Sequence, residues 1–366
     1  MIARLNIIKR YIYNYGIKDL FPGYFALVMA TGIVSIAAHL LGFFTIANSL
    51  FVLNNFFYFF LLICLLLRLY YCLPEFKEDL FDHLKGPGFF TVIAGTNILG
   101  SQYYLFTDHI VISTSLWGLG TLLWLVISYT FFTAITVKEV PPNLEKGISG
   151  AWLIAIVATQ SVAILGTYLA STTGPLEELL LFLMTCIFLA GCMLYILVIT
   201  LIFYRFSFFK LSPEDLSPPY WINMGAVAIT TLAGSTLLLY SEGSPFLISV
   251  EPFLKGFTLF FWSIGTWWIP LLLILGYWRH VVHDVPFPWQ SGGYDPSYWG
   301  MVFPLGMYTA CTWRLAEALD LHFLFTVPRV FIYIAIASWI AIFMGLVRMI
   351  FRDLSSTDVH TVFSES

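Results

Sequence analysis

The feature that most constrains this chain is an apolar segment that recurs five times. The copies read YFALVMATGIVS, FFTVIAGTNILG, AWLIAIVATQSV, YWINMGAVAITT and YWGMVFPLGMYT. Their second residues are Phe25, Phe90, Trp152, Trp221 and Trp299, at separations of 65, 62, 69 and 78 residues. Repetition at such a period indicates one structural unit used several times. Because each period fits a helical hairpin with its connection, we predict five hairpins around one axis, and that axis is a candidate pore.

The composition is that of a protein embedded in the lipid bilayer. Of its residues, 59% are hydrophobic and only 10% are charged, whereas soluble domains carry roughly 25% charged residues. A run of about 20 apolar residues crosses the hydrocarbon core as a helix. The net charge of −4 comes without a basic patch, which argues against a nucleic-acid partner. The five cysteines contain no CxxC pair and are interpreted as small buried hydrophobes.

Hydropathy predicts an all-α integral membrane protein with ten transmembrane helices. Residues 1–20 form a cytoplasmic or interfacial segment, residues 21–352 one ten-helix membrane domain, and residues 353–366 a short cytoplasmic tail. Odd spans are shorter and hold Gly, Pro and Thr, so we expect them inside, with the even spans against lipid. The predicted spans are 21–42, 46–71, 87–106, 110–136, 148–170, 176–206, 220–240, 252–279, 297–318 and 327–351.

Charge asymmetry predicts the orientation of the spans. If the first span starts inside, 14 of the 17 Lys and Arg residues lie in or beside inside segments, and the outside set is Lys255, Arg314 and Arg329. By the positive-inside rule, both termini are then cytoplasmic and the protein is a multi-pass protein of the plasma (inner) membrane. Short outside links and longer inside links give five hairpins whose inner helices run parallel.

Ionisable residues within the spans are few, and such residues are often functional because they are costly in lipid. Arg314 and Glu317 are spaced i, i+3, so they share a helix face and can pair. They indicate either a paired interfacial arginine or a cationic outer vestibule that attracts anions. His39 leaves a similar choice between an interfacial histidine and an anion contact. The spans carry no paired acidic groups for a proton relay, which favours a passive pore over a pump.

Polar and small residues on the odd spans are the candidates for a pore lining. Neutral dipoles replace part of an ion's hydration shell without trapping the ion. Close helix packing is the alternative explanation for such residues. The candidates are Met29, Thr31, Ala94, Thr96, Asn97, Ile156, Thr159, Gln160, Gly225, Thr230 and Thr309.

One position of the repeat differs between the copies. Four residues after the aromatic, the first four copies carry a small or aliphatic residue, whereas the fifth carries Phe303, followed by Pro304. A proline within a span kinks the helix and frees a backbone carbonyl. A large ring at this depth either closes a narrow pore as a gate or packs as one of the 35 Phe residues.

Three segments resemble a known family. FPGYFALVMATGIVSIAAHLLG, GTNILGSQ and YWGMVFPLGMYTACT are similar to bacterial tellurite-resistance permeases (TehA), malic-acid permeases and plant slow anion channels, over about residues 20–352. The resemblance implies a pseudo-five-fold ring of five hairpins whose odd helices line a central pore. It also implies a homotrimer with one pore per subunit, and a pore occluded by Phe303. The transported anions would be chloride, nitrate, sulfite or C4-dicarboxylates.

We therefore expect an anion channel-like permease that is not an enzyme and needs no cofactor or metal. Its partners would be small inorganic or organic anions and the lipid bilayer. The alternative is a proton-linked carrier of malate or succinate, in which Arg314 or His39 contacts the anion. A third hypothesis is a membrane-embedded metalloenzyme, because Arg279–Asp284 has an HxxHD pattern. The seven histidines are scattered over both faces, and a di-iron site needs more of them on one face.

Overall fold

The computed structural model describes residues 17–107, 109–286 and 294–356, and these residues form helices and turns without a strand. Most of the predicted N-terminal segment (residues 1–16) and most of the predicted tail (residues 357–366) lie outside this part of the chain. The ten long helices are α1 (Ala26–Leu40), α2 (Phe44–Tyr71), α3 (Phe90–Phe106), α4 (Ile110–Thr136), α5 (Ile154–Ala170), α6 (Glu177–Phe208), α7 (Ile222–Leu239), α8 (Pro245–Tyr277), α9 (Trp299–Ala318) and α10 (Thr326–Ser356).

Each odd-numbered helix begins after a single 3₁₀ turn that carries glycine or proline. Proline is tolerated there because the first N–H groups of a helix have no partner within it. An added Cβ at Gly88 would lie 2.8 Å from the backbone nitrogen of Gly23, so the turns before α1 and α3 touch backbone to backbone. The five turns are Pro22–Phe25, Gly86–Phe89, Gly150–Leu153, Pro218–Trp221 and Pro296–Tyr298.

Eight helices in the described part of the chain are long and apolar enough to cross a membrane. The two long helices outside this group are α3 and α9, which are more polar. Helix α3 carries Asn97 and Gln102, and α9 carries Arg314 and Glu317. The predicted count of ten spans therefore depends on these two helices.

Burial separates the odd helices from the even ones. The most apolar windows of Pro22–Leu40, Gly150–Ala170 and Pro218–Leu239 are 78%, 100% and 94% buried, whereas those of the five even helices are between 11% and 33% buried. Large apolar side chains such as Phe60 and Leu122 are exposed on the even helices. A continuous apolar surface of this kind is stable against lipid and not against water. The predicted division into inner odd helices and outer even helices is confirmed.

The contacts between helices follow a regular order. Each odd helix packs against the even helix that follows it in the chain. In addition, α1 packs against α3, α3 against α5, α5 against α7, α7 against α9, and α9 against α1. The contacts among the five odd helices therefore form a closed sequence that begins and ends at α1.

Helix α8 starts seven residues before the predicted span, which began at Pro252. The helix begins at Pro245, where Ser244 Oγ accepts a hydrogen bond from the Leu247 amide at 3.2 Å, and it continues through Pro252. Leu247 and Leu254 on either side of Pro252 are fully buried. Their packing stabilises helical backbone across a residue that ordinarily marks a helix start.

Candidate functional site

The first turns of the five odd helices surround a small cavity. Its volume is about 40 Å³. Since every odd helix contributes residues from its N-terminal half, the five helices run parallel along one axis. The cavity is lined by Ala26 and Met29 of α1, Thr91 of α3, Ile154 and Val157 of α5, Ile222 of α7, and Gly300 and Phe303 of α9, together with residues of the preceding loops.

A second cavity of about 20 Å³ lies nearer to the C-terminal ends of the same helices. On α1, residues 26, 29, 33 and 36 form one stripe at helical spacing that runs from the first cavity to the second. The two cavities therefore share the axis. The second cavity is lined by Ile33 and Ile36 of α1, Ile98 and Ser101 of α3, Ser161, Ile164 and Tyr168 of α5, Ile229 and Leu232 of α7, and Met307 of α9.

Phe303 lines the first cavity, and along α9 it stands between residues that line the two cavities. On α9 it follows Gly300, which lines the first cavity, and it precedes Met307, which lines the second. Its side chain is only 1% exposed. The next residue, Pro304, contacts α7 so closely that a Cβ atom at Gly225 would lie 2.7 Å from Pro304 Cγ. The close approach of α7 and α9 thus positions the ring of Phe303 against the axis.

Of the predicted lining residues, Met29 lines the first cavity together with Phe303. Ala94 and Ile156 are fully buried, and Gly225 contacts Pro304 as described above. Within the described residues, these last three do not line either cavity.

Three of the five predicted threonines contact the even helices. A tryptophan or tyrosine side chain from an even helix forms a hydrogen bond with each of these three. These bonds join inner helices to outer helices, and within the described residues the three hydroxyls do not line either cavity. The pairs are Thr31 with Trp339 of α10 (3.0 Å), Thr96 with Tyr58 of α2 (3.1 Å) and Thr159 with Trp124 of α4 (2.9 Å).

The remaining polar candidates are also bonded to protein. Gln160 Nε2 donates to the Phe188 carbonyl of α6 at 3.1 Å, and Asn97 Nδ2 donates to a serine hydroxyl of α5 at 3.2 Å. Thr230 and Thr309 donate to the carbonyl four residues earlier in their own helices, at 2.7 and 2.9 Å. The wall of the two cavities therefore consists mainly of apolar side chains, with Lys85, Thr91, Ser101, Ser161, Tyr168 and Ser297 as polar members.

A charged cluster beside the first cavity was not identified from the sequence. Lys85 lines that cavity, and its Nζ lies 2.7 Å from Asp79 Oδ1. Asp79 also pairs with Arg68, whose side chain is 2% exposed. Burial of Asp79 opposes ionisation, but the hydrogen bonds from Lys85 and Arg68 hold the pKa of Asp79 below its ordinary value. The sequence signal was a lysine directly before the Gly-Pro-Gly turn that leads into α3.

The C-terminal end of the axis carries the two predicted anion-attracting residues. Arg314 Nη1 donates to Glu317 Oε2 at 2.8 Å, so these residues pair as their spacing predicts. The imidazole of His39 stacks on Phe106 with ring centroids 4.4 Å apart, and it lies within electrostatic range of Arg314. The structure thus brings Arg314 and His39 to the same end of the molecule.

The HxxHD segment contacts backbone carbonyl groups. His280 Nδ1 lies 2.7 Å from the Val285 carbonyl oxygen, and His283 Nδ1 lies 3.1 Å from the Trp278 carbonyl oxygen. Across residues 17–107, 109–286 and 294–356, no group of three or more His, Cys, Asp or Glu side chains is placed to hold a metal ion. The metalloenzyme hypothesis gains no ligand set from this part of the chain.

An apolar all-helical molecule with its polar contacts inside, and with cavities along a shared helix axis, is a multi-pass membrane protein of the transporter or channel class. Comparison with known families makes this specific. Residues 19–347 match the model of the SLAC1 family, described as voltage-dependent anion channels, and the chain belongs to that family. This confirms the family predicted from the three segments quoted above.

Relatives of known sequence agree with this assignment. One uncharacterized transporter of Methanocaldococcus jannaschii is 28% identical over 84% of this chain and 84% of its own length. A second transporter of that organism is 25% identical over 81% of this chain and 84% of its own length. An uncharacterized membrane protein of Mycobacterium tuberculosis is 36% identical over 155 residues, which is 42% of this chain and 76% of the relative.

Proposed function

We propose that this protein is an anion channel-like permease whose central pore is closed by Phe303. In this proposal the ten long helices all span the membrane, as five hairpins in a pseudo-five-fold ring, and residues 21–352 are the transport domain. The observation that carries the proposal is that Phe303 lines the first of two cavities formed by the same five helices, one helical turn before Met307, which lines the second. The closed sequence of contacts among the five odd helices also supports the proposal.

The first cavity has the electrostatics that an anion requires. The N-terminal ends of five helices converge on it, and each such end carries a partial positive charge of roughly half a unit. Among the described residues that line the two cavities, Lys85 is the only charged one, and none is a carboxylate. Anions are therefore favoured over cations on this path. The described lining of the two cavities also holds no histidine, aspartate or glutamate, the groups that ordinarily couple proton and substrate movement, which favours the channel over a proton-linked C4-dicarboxylate carrier.

Phe303 would act as a hydrophobic gate. An apolar constriction excludes water and so blocks ions without binding them. The ring lines the cavity of about 40 Å³, and the second cavity, one turn further along α9, measures only about 20 Å³, so in this proposal the ring must move aside before an anion passes. Pro304 weakens the helix directly after the ring, because proline removes one backbone hydrogen bond. The gate would then move with a local bend of α9.

The arrangement in the membrane follows from charge. We propose insertion in the inner membrane, with both termini and the first cavity on the cytoplasmic side, because most Lys and Arg residues then lie inside. A homotrimer with one pore in each subunit is implied by the family resemblance. The short segment 1–20 and the tail 353–366 would both be cytoplasmic. A physiological role in tellurite resistance would follow from the same resemblance.

The test is anion flux into proteoliposomes for the native chain and for Phe303→Ala. We expect a large gain in chloride and nitrate flux that is independent of a pH gradient. The matched control is Phe261→Ala, because Phe261 is equally buried but lies on the even helix α8. Both substitutions remove a buried ring, at a cost of about 3–5 kcal/mol, so correct insertion is first verified by size-exclusion profile. No gain in the mutant, together with gradient-dependent malate uptake by the native chain, would establish the carrier instead.

A further inference from the structure

At or directly after the C-terminal end of each odd helix stands a histidine, a tyrosine or an arginine. On α9, Arg314 stands seven residues after Met307, which lines the second cavity, and so it lies on the same helix face. On α5, Tyr168 continues the stripe of Ser161 and Ile164. The five residues are His39 of α1, Tyr104 of α3, Tyr168 of α5, Tyr240 directly after α7, and Arg314 of α9.

The tyrosines of this set contact one another. The ring of Tyr168 stacks on Tyr104 with centroids 5.2 Å apart and meets Tyr240 at 5.7 Å. The hydroxyl oxygens of Tyr104 and Tyr240 are 3.4 Å apart. Arg314 lies within electrostatic range of Tyr168 and Tyr240. Three phenol groups therefore form one cluster, which reaches the second cavity through Tyr168, and the guanidinium group of Arg314 acts electrostatically on two of them.

Helix dipoles explain why a cation is needed at this end. Five parallel helices present their last carbonyl groups here, and each C-terminal end carries roughly half a negative charge. An anion that leaves the favourable N-terminal ends would be repelled by these carbonyls. The guanidinium of Arg314 opposes that repulsion, and Glu317, bonded to it at 2.8 Å, reduces its effect.

We propose that Arg314 and the hydroxyls of Tyr104, Tyr168 and Tyr240 form an anion-binding site that accepts small monovalent anions and rejects four-carbon dicarboxylates. A volume of about 20 Å³ is close to the minimum that holds one water molecule, so the adjoining cavity has room for one small ion. The second carboxylate group of a four-carbon dicarboxylate would have no cation as partner and would lie close to the carboxylate of Glu317. As a site for transported ions, this inference rests on the proposed function.

The first test measures binding without transport. The detergent-solubilised protein is melted in sodium chloride and in sodium gluconate at equal ionic strength. Chloride should raise the melting temperature of the native chain, and Arg314→Gln should lose most of that rise. Glu317→Gln should act in the opposite direction and lower the half-saturating chloride concentration roughly threefold, because it releases Arg314 from its partner.

The control is Lys255→Gln. Lys255 forms a comparable pair with Glu251 at 2.7 Å, but on the outer helix α8, so this variant removes the same charge away from the axis. It should keep the chloride response of the native chain. An Arg314→Gln protein that responds to chloride as the Lys255→Gln protein does would overturn the proposal.

The second test measures permeation in the Phe303→Ala background. Reversal potentials with chloride on one side and malate on the other should show that chloride is preferred, and Tyr168→Phe should reduce that preference. If Phe303→Ala conducts no anion although chloride binding depends on Arg314, the proposed gate fails and the site stands. If Phe303→Ala conducts but Arg314→Gln, Glu317→Gln and Tyr168→Phe leave its selectivity unchanged, the site fails and the gate stands.

Discussion

Replacement of Lys85 by glutamine tests whether the charged cluster beside the first cavity draws anions towards the axis. Lys85 lines the cavity, and its side chain is 60% exposed, so the substitution removes a charge without opening the core. The cluster contains two cations, Lys85 and Arg68, and one carboxylate, Asp79. Lys85→Gln lowers the charge at this end of the axis by one unit, in surroundings that also hold the carboxylates of Glu78 and Asp82.

The size of the effect follows from Coulomb's law. A unit charge about 8–10 Å from an ion, at an effective dielectric constant between roughly 40 and 80, contributes about 0.4–1 kcal/mol. This corresponds to a two- to fivefold change in the local anion concentration. Because Lys85 is exposed, salt screens the interaction over a length of about 10 Å at 0.1 M ionic strength. We expect a two- to fivefold loss of entry rate at low salt and almost no loss at 1 M.

The assay is single-channel current in planar bilayers, with Phe303→Ala as the conducting background and chloride varied on one side at a time. Lys85→Gln should reduce current carried by chloride from the side of the first cavity and leave entry from the opposite side unchanged. The control is Lys77→Gln, since Lys77 is exposed on the short helix Leu73–Leu80 and does not line the cavity. Equal effects of both variants, or an effect that persists at high salt, would refute the reasoning.

Three further predictions concern stability, read from thermal unfolding in detergent. Asp79→Asn should cost about 3 kcal/mol, because buried Arg68 loses its partner. Since the pKa of Asp79 is lowered in the folded protein, its stabilising contribution is present above its ordinary pKa and is lost as the pH falls through the folded value. The melting temperature of the variant should therefore depend less on pH in the acid range than that of the native chain. Thr31→Val removes the acceptor of the Trp339 indole and should cost about 1 kcal/mol. Gly225→Leu should cost about 1–3 kcal/mol by colliding with the proline of α9. Unchanged melting in any variant contradicts the contact behind it.

Much of the architecture was predictable because the forces that decide it act along the chain. Apolar runs of membrane length and the aromatic that recurs at a similar spacing were sufficient to locate the ten long helices and to assign odd helices to the inside. Helix α8 is an exception. Proline is common at helix starts, but this helix continues through Pro252 because the packing of its buried neighbours stabilises the helical backbone there. Helices α3 and α9 are more polar than the eight helices that are evidently apolar enough to span a membrane, and this polarity is also visible in the sequence.

The direction in which each polar side chain of an inner helix points was not predictable. Residues with small and polar side chains occur all round these helices, because every face of a buried helix contacts protein. Thr31, Thr96 and Thr159 were therefore candidates for the pore, but the structure places them against aromatic donors of the even helices. Tyr168 was missed for the converse reason, since nothing local marks it as a neighbour of a cavity, and the only local mark of Lys85 is its place before the Gly-Pro-Gly turn.

By itself, the sequence determined that this protein is embedded in the lipid bilayer and which family it belongs to. It also determined that the helices come in five similar pairs and that Phe303 is the exceptional residue of the repeat. These properties depend on composition and spacing, which are local. Only the tertiary structure decided which residues surround the axis, where the two cavities lie, and that Lys85 stands beside the first of them. Those properties depend on the rotation of each helix about its own axis, and that rotation is set by contacts between residues far apart in the chain.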